Sequence, residues 1–219
     1  MRYSRGSNDV PTSTRLHVIP HGVDSAYFNP NVAWRPEDAA TKDTAIVITG
    51  NMCDYKSQHG VLWFYREVWP RVRREIDEVR LYIVGNAPPS SLKRLAQEDG
   101  RVNVTGYVDD MRAYLWRANV IVSPLWIGTG IKNRVLEAMA MGKPVVATPV
   151  SVEGMQVEDG VDVLVAKDAA ECANAIVRLC RERMFAESVG QNARRTVVRS
   201  YSWRASAEGL LEIIRTTVH

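Results

Sequence analysis

Short apolar runs, separated by stretches with helical spacing, dominate the chain from residue 44 onward. Six runs are typical of strands buried on both faces, at residues 44–49, 80–84, 102–105, 120–122, 145–148 and 163–165. Apolar positions at helical spacing predict helices at residues 61–76, 90–98, 109–117, 135–141, 168–180, 184–200 and 203–217. Because strands alternate with helices and Asn-Gly hairpin turns are absent, we expect an α/β fold: a doubly wound, mostly parallel Rossmann-like sheet with helices on both faces.

Individual residues refine the boundaries of these elements. Pro70 is expected to bend the 61–76 helix, and Asp109 is a natural N-cap for the helix that follows it. Gly142 predicts a left-handed stop for the 135–141 helix. Residues 16–20 are expected to form a further short strand before the first turn-rich segment.

A glycine-rich loop between residues 124 and 134 carries the first sign of chemistry. Gly128, Thr129 and Gly130 form a turn with few Cβ atoms that leads into a helix. Such a turn leaves backbone N–H groups at the positive end of the helix dipole, which suits a phosphate or diphosphate. Lys132 and Arg134 stand in the first turn, where cations oppose the dipole unless an anion lies between them and the helix. The loop therefore predicts an anionic ligand.

Glu137 is a carboxylate on a helix that is otherwise almost wholly apolar. A carboxylate in such a place is costly without a partner. One interpretation is an ion pair or hydrogen bond within the helix, with Arg134 or Asn133. The other is a functional carboxylate that accepts hydrogen bonds from paired hydroxyls such as those of a ribose. Spacing alone does not separate the two.

The order of the glycine loop, Glu-Ala-Met-Ala and Gly-Lys-Pro-Val-Val-Ala-Thr resembles the donor-binding segment of GT-B glycosyltransferases of the glycogen-synthase-like retaining class, group 1. Within it, the segment is similar to bacterial sugar transferases of exopolysaccharide and exosortase-associated systems. The resemblance covers about residues 16–217 and implies one half of a GT-B fold. Thr129 replaces the first of two family glutamates, and Lys132 replaces a later glycine. In the family the missing glutamate ordinarily holds a hydroxyl of the donor sugar, and the Thr129 hydroxyl offers one uncharged hydrogen bond in its place.

The resemblance implies roles for residues in several loops. Glu137 would bind the ribose, and Lys56, Lys132 and Arg134 would stabilise charge on the departing diphosphate. Lys56 follows Gly50 by six positions, where the family places a phosphate-binding lysine, although a solvated loop lysine is an equal alternative. The donor-binding residues it implies are Gly50, Asn51, Tyr107, Val108, Gly128, Thr129, Gly130, Ile131 and Glu137. Asn51 stands where the family usually has an arginine, and the backbone of Tyr107 and Val108 would lie beside the base.

Three loops are expected to meet at one edge of the sheet. They follow Thr49, Thr105 and Leu125, and ligands of doubly wound sheets bind at the carboxyl ends of the strands. Their convergence would create one nucleotide site. His21 lies in a segment that resembles the family's entry into its second domain, but a histidine beside a glycine is more typical of a turn than of catalysis.

Composition excludes several other kinds of protein. Twenty-eight basic and 25 acidic residues leave a net charge of +3, too small to predict nucleic acid binding. Cys53, Cys172 and Cys180 have neither metal-ligand nor disulfide spacing, so we expect a reducing cytoplasm. No metal and no cofactor are expected besides the nucleoside diphosphate sugar that serves as substrate. Arginines near the end of the chain allow a peripheral membrane contact, but solvated helix faces are the favoured interpretation.

Domain organisation follows from the same pattern. Residues 1–14 are polar and are expected to be a disordered tail or an artificial extension, and residues 15–219 one nucleotide-sugar-binding domain. By resemblance, a separate N-terminal acceptor-binding domain would be needed for activity, so the chain would be the inactive donor half of a bacterial enzyme of polysaccharide biosynthesis. Two alternatives stay open: a stand-alone, non-catalytic nucleotide-binding module, and half of a nucleotide-sugar epimerase.

Overall fold

The computed structural model describes residues 17–31 and 43–217. Within them, six strands form one parallel sheet in the order β3-β2-β1-β4-β5-β6. The strands are β1 (Thr44–Thr49), β2 (Val79–Val84), β3 (Val102–Gly106), β4 (Val120–Ser123), β5 (Val145–Ala147) and β6 (Leu164–Val165). The predicted tail at residues 1–14 lies outside the described residues.

Eight helices accompany the strands in the described part of the chain. They are α1 (Tyr55–Trp63), α2 (Trp69–Glu75), α3 (Ser90–Glu98), α4 (Arg112–Arg117), α5 (Asn133–Ala140), α6 (Ala169–Arg181), α7 (Arg183–Ser200) and α8 (Trp203–Thr217). A π-helical turn, Phe64–Val68, joins α1 to α2, and Pro70 begins the turn that follows it. Gly142 ends α5 with φ +65°, as predicted.

The sheet separates two hydrophobic cores because alternate residues of each strand point to opposite faces. Ile46 and Ile48 of β1 contribute to the core beneath α1, α2, α3 and α6. Ala45 and Val47 contribute to the core beneath α4, α5 and most of α7. The predicted fold class is therefore confirmed: a parallel, doubly wound sheet with helices on both faces.

Three local predictions were wrong. The helix predicted at residues 61–76 begins at Tyr55, because the Asp54 side chain accepts the N–H of Lys56 and caps it six residues earlier. The helix after β3 begins at Arg112 rather than at Asp109, and it is Asp110 that accepts the Arg112 N–H, at 2.8 Å.

The predicted strand at residues 16–20 is also absent at residues 17–20, and residue 16 lies outside the described ranges. The backbone of the following residues bonds to the start of α8 instead of to the sheet. Val23 forms one bridge with Ser202 and donates its N–H to the Tyr201 carbonyl at 2.7 Å. The entering segment is therefore tied to the last helix.

Candidate nucleotide-sugar site

A cleft of about 620 Å³ opens between the carboxyl ends of β1 and β4. From these neighbouring strands the sheet grows in opposite directions, so the cleft lies at the topological switch point where open α/β sheets bind ligands. The loop after β1, the loop after β4, the first turn of α5 and residues 18–21 line it. Of the predicted site residues it is lined by Gly50, Asn51, Ile131, Lys132 and Arg134.

Buried hydroxyls fix the loop after β4 where it leaves the sheet. Ser151 is fully buried, donates to the Ser123 carbonyl at 2.7 Å and accepts the Leu125 N–H at 3.2 Å. Thr148 donates to the Leu125 carbonyl and lies 2.9 Å from the Ser151 hydroxyl. Because the Ser151 and Thr148 hydroxyls both bond to the backbone between Ser123 and Leu125, this wall of the cleft is held by hydrogen bonds that do not depend on a ligand.

Helix α1 approaches that wall at van der Waals distance. A Cβ added to Gly60 would lie 2.5 Å from the Pro124 carbonyl oxygen, which real Cβ atoms do not tolerate. This close contact brings the first turn of α1, and with it Lys56, alongside the glycine loop. Lys56 is therefore an exposed residue in the first turn of α1 rather than in a loop, and its phosphate-binding role stays a prediction.

Two lysines converge on Gly128, which has φ +147° and no side chain. A Cβ there would lie 3.4 Å from Cε of Lys132 and 4.0 Å from Cδ of Lys56. Burial lowers the pKa of the Lys132 ammonium, Glu153 opposes this shift, and the positive charge of Lys56 adds to it. Two like charges held together beside a glycine turn form a site that an anion would stabilise.

The Lys132 ammonium also donates a hydrogen bond to the Gly130 carbonyl, which folds its side chain back over the loop. Thr129 and Gly130 are exposed and do not line the cleft itself. The glycine loop therefore lies at the rim of the cleft, with the Lys56 and Lys132 side chains next to Gly128.

Glu137 pairs with Arg134, with 2.8 Å between Oε2 and the guanidinium nitrogen. Its side chain is 14% exposed and that of Arg134 46%, so the pair lies at the surface rather than in the apolar interior. The interpretation of Glu137 as an i, i+3 partner of Arg134 is confirmed. Its predicted ribose role stays a prediction, although Arg134 joins it to the cleft.

The loop after β3 lies at the same edge of the sheet but not in the cleft. Strand β3 is at the end of the sheet, and β2 and β1 separate it from β4. Tyr107 is 75% exposed, and Val108 packs against the core beneath α4 and α5. The three loops therefore share an edge, but only those after β1 and β4 form the cleft.

Several residues that line the cleft have no place among the predicted site residues. The largest group is the entering segment, Val18 to His21. Further polar side chains on the lining are Thr49, Asp54, Ser57, Ser123 and Asn133. Asp54 and Ser57 carry a usable signal, since they lie in the loop and the first helical turn that follow a buried strand. The entering segment carries none, because it reaches the cleft only through contacts with α8.

Within residues 17–31 and 43–217, no group of three or more His, Cys, Asp or Glu residues is placed to hold a metal ion. Metal independence stays a prediction. In the same ranges no helix is both long and apolar enough to cross a bilayer.

The cleft and the converging lysines lie at the edge where doubly wound α/β domains bind ligands, and comparison with known proteins gives the family of the chain. The family model for glycosyl transferases group 1 matches residues 43–182, well over half of the chain. The chain belongs to this family of glycosyltransferases.

Curated relatives of the chain include two kinds of mannosyltransferase. The chain is 30% identical over 210 residues to a phosphatidyl-myo-inositol mannosyltransferase of Mycobacterium leprae, covering 90% of this chain and 53% of that protein. It is 27% identical to a GDP-mannose-dependent alpha-(1-6)-phosphatidylinositol monomannoside mannosyltransferase of Mycobacterium tuberculosis, and the match covers 97% of this chain and 59% of that protein. The chain thus spans about half the length of the curated relatives it matches.

Solved structures share the fold. A glycosyltransferase from Rickettsia africae superposes with a TM-score of 0.75 at 18% identity, over 90% of this chain and 56% of that chain. HepE of Anabaena, solved in complex with UDP-glucose, superposes with a TM-score of 0.71 at 18% identity, over 89% of this chain and 56% of that chain. The C-terminal domain of a group 1 family protein from Francisella tularensis gives 0.65 at 17%, over 83% of this chain and all of that one. These neighbours are GT-B glycosyltransferases, so the predicted half of a GT-B fold is confirmed.

Proposed function

We propose that this chain is the donor-binding half of a retaining glycosyltransferase that takes its sugar from a nucleoside diphosphate sugar. The observation that carries the proposal is the convergence of Lys56 and Lys132 on Gly128, at the edge of a cleft at the switch point of the sheet. Names of similar proteins support the ligand class, since one relative is GDP-mannose-dependent and one neighbour was solved with UDP-glucose.

In the proposed reaction, the bond between the anomeric carbon of the sugar and the diphosphate oxygen breaks, and the electron pair leaves with the diphosphate. Lys56, Lys132 and Arg134 stabilise the charge that develops there. A single preorganised donor of this kind is worth about 3 to 4 kcal/mol in a transition state. An acceptor hydroxyl then forms a bond to the same face of the same carbon, and its proton leaves with the phosphate.

The acceptor site is proposed to belong to a separate domain. The chain covers about half the length of its curated relatives, and the Rickettsia africae glycosyltransferase also extends well beyond it. We expect the isolated chain to bind nucleoside diphosphates weakly and to transfer no sugar. The proposal also includes the place of the acceptor in the cell. It allows a peripheral contact of the protein with the inner face of the membrane.

Titration calorimetry with UDP and GDP, at low and high salt, tests the proposal. The wild-type chain should bind at least one of them, and high salt should weaken binding because it screens exposed charges. Lys132→Gln should lower affinity about tenfold or more. Lys93→Gln, an exposed lysine on α3, is the matched control and should leave affinity unchanged.

Several results would contradict the proposal, each at a different point. If wild type binds neither nucleotide, or if both lysine variants behave alike, the cleft is not a diphosphate site. Efficient sugar transfer from UDP-glucose or GDP-mannose by the chain alone would contradict the half-enzyme assignment. Binding without transfer, even when an acceptor-binding domain is supplied, would favour a non-catalytic nucleotide-binding module. Thr129 in place of a glutamate keeps that second candidate open.

A further inference from the structure

His21 lies on the lining of the cleft, on the segment that enters the domain, and the proposed reaction gives it no role. The cleft is also lined by Lys132 and Arg134 from the start of α5, and by Asp54 from the loop after β1. The His21 side chain is exposed to solvent there rather than packed into the core. A nitrogen base on the lining of a ligand cleft is available to the ligand.

One ring nitrogen of His21 is already used. Nδ1 lies 2.7 Å from the carbonyl oxygen of Gly22. A carbonyl only accepts hydrogen bonds, so Nδ1 must carry the proton in this contact. In the neutral ring, Nε2 is then an acceptor. The local backbone therefore selects the tautomer and leaves Nε2 as the ring's remaining polar atom.

Helix α8 holds the histidine in this place. The rings of His21 and Trp203 have centroids 5.0 Å apart. Gly22 packs so closely on Trp203 that an added Cβ would lie 2.8 Å from the indole ring. Ser206 donates to the Pro20 carbonyl at 3.0 Å. Contacts on both sides of residue 21 make it a preorganised position, in contrast to an ordinary exposed turn.

We propose that His21 is a further donor-binding residue whose Nε2 accepts a hydrogen bond from a hydroxyl of the nucleotide sugar. This inference rests on the proposed function. The diphosphate offers only acceptor oxygens near neutral pH, so it suits the lysines and Arg134 and not a neutral acceptor nitrogen. Hydroxyl donors come from two parts of the ligand, the ribose and the transferred sugar, and the experiment separates them.

Two substitutions divide the ring's functions. His21→Gln places its terminal amide near the position of Nε2, and His21→Asn places its amide near Nδ1. Affinity is measured by calorimetry for UDP, UDP-glucose, GDP and GDP-mannose, and thermal unfolding of each variant checks the fold. For the nucleotide type that wild type binds, we expect about a fivefold or greater loss with Asn and less than a twofold loss with Gln, the effect of one hydrogen bond.

The comparison of ligands identifies the hydroxyl. A loss confined to the sugar nucleotides assigns it to the transferred sugar, and an equal loss with UDP or GDP assigns it to the ribose. Nitrogen NMR of the wild-type chain gives a second measurement. Ligand should shift the His21 Nε2 resonance while Nδ1 stays protonated.

The inference fails if Asn retains wild-type affinity while Gln does not, because the histidine then serves only the turn at Gly22. It also fails if both variants bind like wild type, or if Nε2 does not respond to ligand. Should wild type bind none of the four nucleotides, the proposed function fails first and this inference with it. Binding that is lost with Lys132→Gln but insensitive to both His21 variants would leave the proposed function standing alone.

Discussion

At the scale of single residues, the question at Glu137 is whether its carboxylate only pairs with Arg134 or also binds the ligand. One of its oxygens accepts from Arg134 at 2.8 Å, and the residue remains partly exposed beside the cleft-lining arginine. We expect Glu137→Gln to weaken UDP or GDP binding about tenfold or more, because a ribose would lose a charged acceptor. Binding of inorganic phosphate should change less than twofold.

Calorimetry measures the affinity of each variant for the nucleotide and for inorganic phosphate. Glu98→Gln, an exposed carboxylate at the end of α3, is the control and should alter neither. Equal losses for nucleotide and phosphate would mean that Glu137 acts only by holding Arg134, and the ribose assignment would be withdrawn.

Lys143 is a buried ammonium on the opposite edge of the sheet from the cleft. It donates to the carbonyls of Trp116 and Ala118 at the end of α4, at 2.5 and 3.0 Å. Burial lowers the pKa of Lys143 from 10.5 to about 8. Between these two values the unfolded chain holds more protons than the folded one, so the stability of the folded state rises with pH.

The change to test is Lys143→Met, which abolishes this titration. The free energy of unfolding of wild type, relative to the variant, should increase by about 1.4 kcal/mol per pH unit from just above pH 8 to about pH 10. Urea unfolding at several pH values measures it. Taking the difference cancels Cys172 and Cys180, whose thiol pKa values burial raises to about 12 and which oppose the trend above pH 9. A pH-independent difference would contradict the assignment.

At the scale of elements, the packing of α5 on α7 fixes the helix that begins at the cleft. A Cβ added to Gly190 on α7 would lie 2.1 Å from the carbonyl oxygen of Gly142, directly after α5. Arg194, one turn further along α7, donates to the Ala140 carbonyl at the end of α5 and to the Phe28 carbonyl at 3.1 Å. Burial lowers the pKa of Arg194 because it removes part of the charged guanidinium from water.

We therefore expect Gly190→Ala to lower the free energy of unfolding by about 3 kcal/mol, because backbone would have to move. Gly209→Ala on α8 is a matched control, since nothing lies within 4 Å of its added Cβ. In that exposed helix alanine should raise stability by about 0.5 to 1 kcal/mol. Thermal or urea unfolding of both variants measures the contrast, and similar effects at the two positions would disprove the tight junction.

Strands were easier to predict than helix starts, and particular residues show why. The run at residues 44–49 is apolar because β1 is buried from both faces, so the sequence signal and the physical cause coincide. The first turn of α1 is polar at Lys56, Ser57 and Gln58, and only the capping hydrogen bond of Asp54 marks it. Likewise Asp109 and Asp110 are both plausible caps, and the choice depends on where Arg112 lies in three dimensions.

At the scale of the whole molecule, alternation of strands and helices was sufficient to predict a doubly wound sheet and a ligand edge. The order of the strands was not contained in that pattern. With β3 at the end of the sheet, Tyr107 lies away from the cleft, whereas β4 beside β1 brings Lys132 and Asn51 to a common cavity. His21 reaches the cleft through α8, a contact between distant parts of the chain that local patterns do not encode.

Residues 20–23 and 201–206 are joined by hydrogen bonds and by the packing of Gly22 on Trp203. A pulling force applied outside residues 17 and 217 would therefore load this junction before it reached the six-stranded sheet. His21 would be displaced while the hydroxyls behind Leu125 still held their places. Mechanical tension would thus remove His21 from the cleft lining before it separated the strands of the sheet.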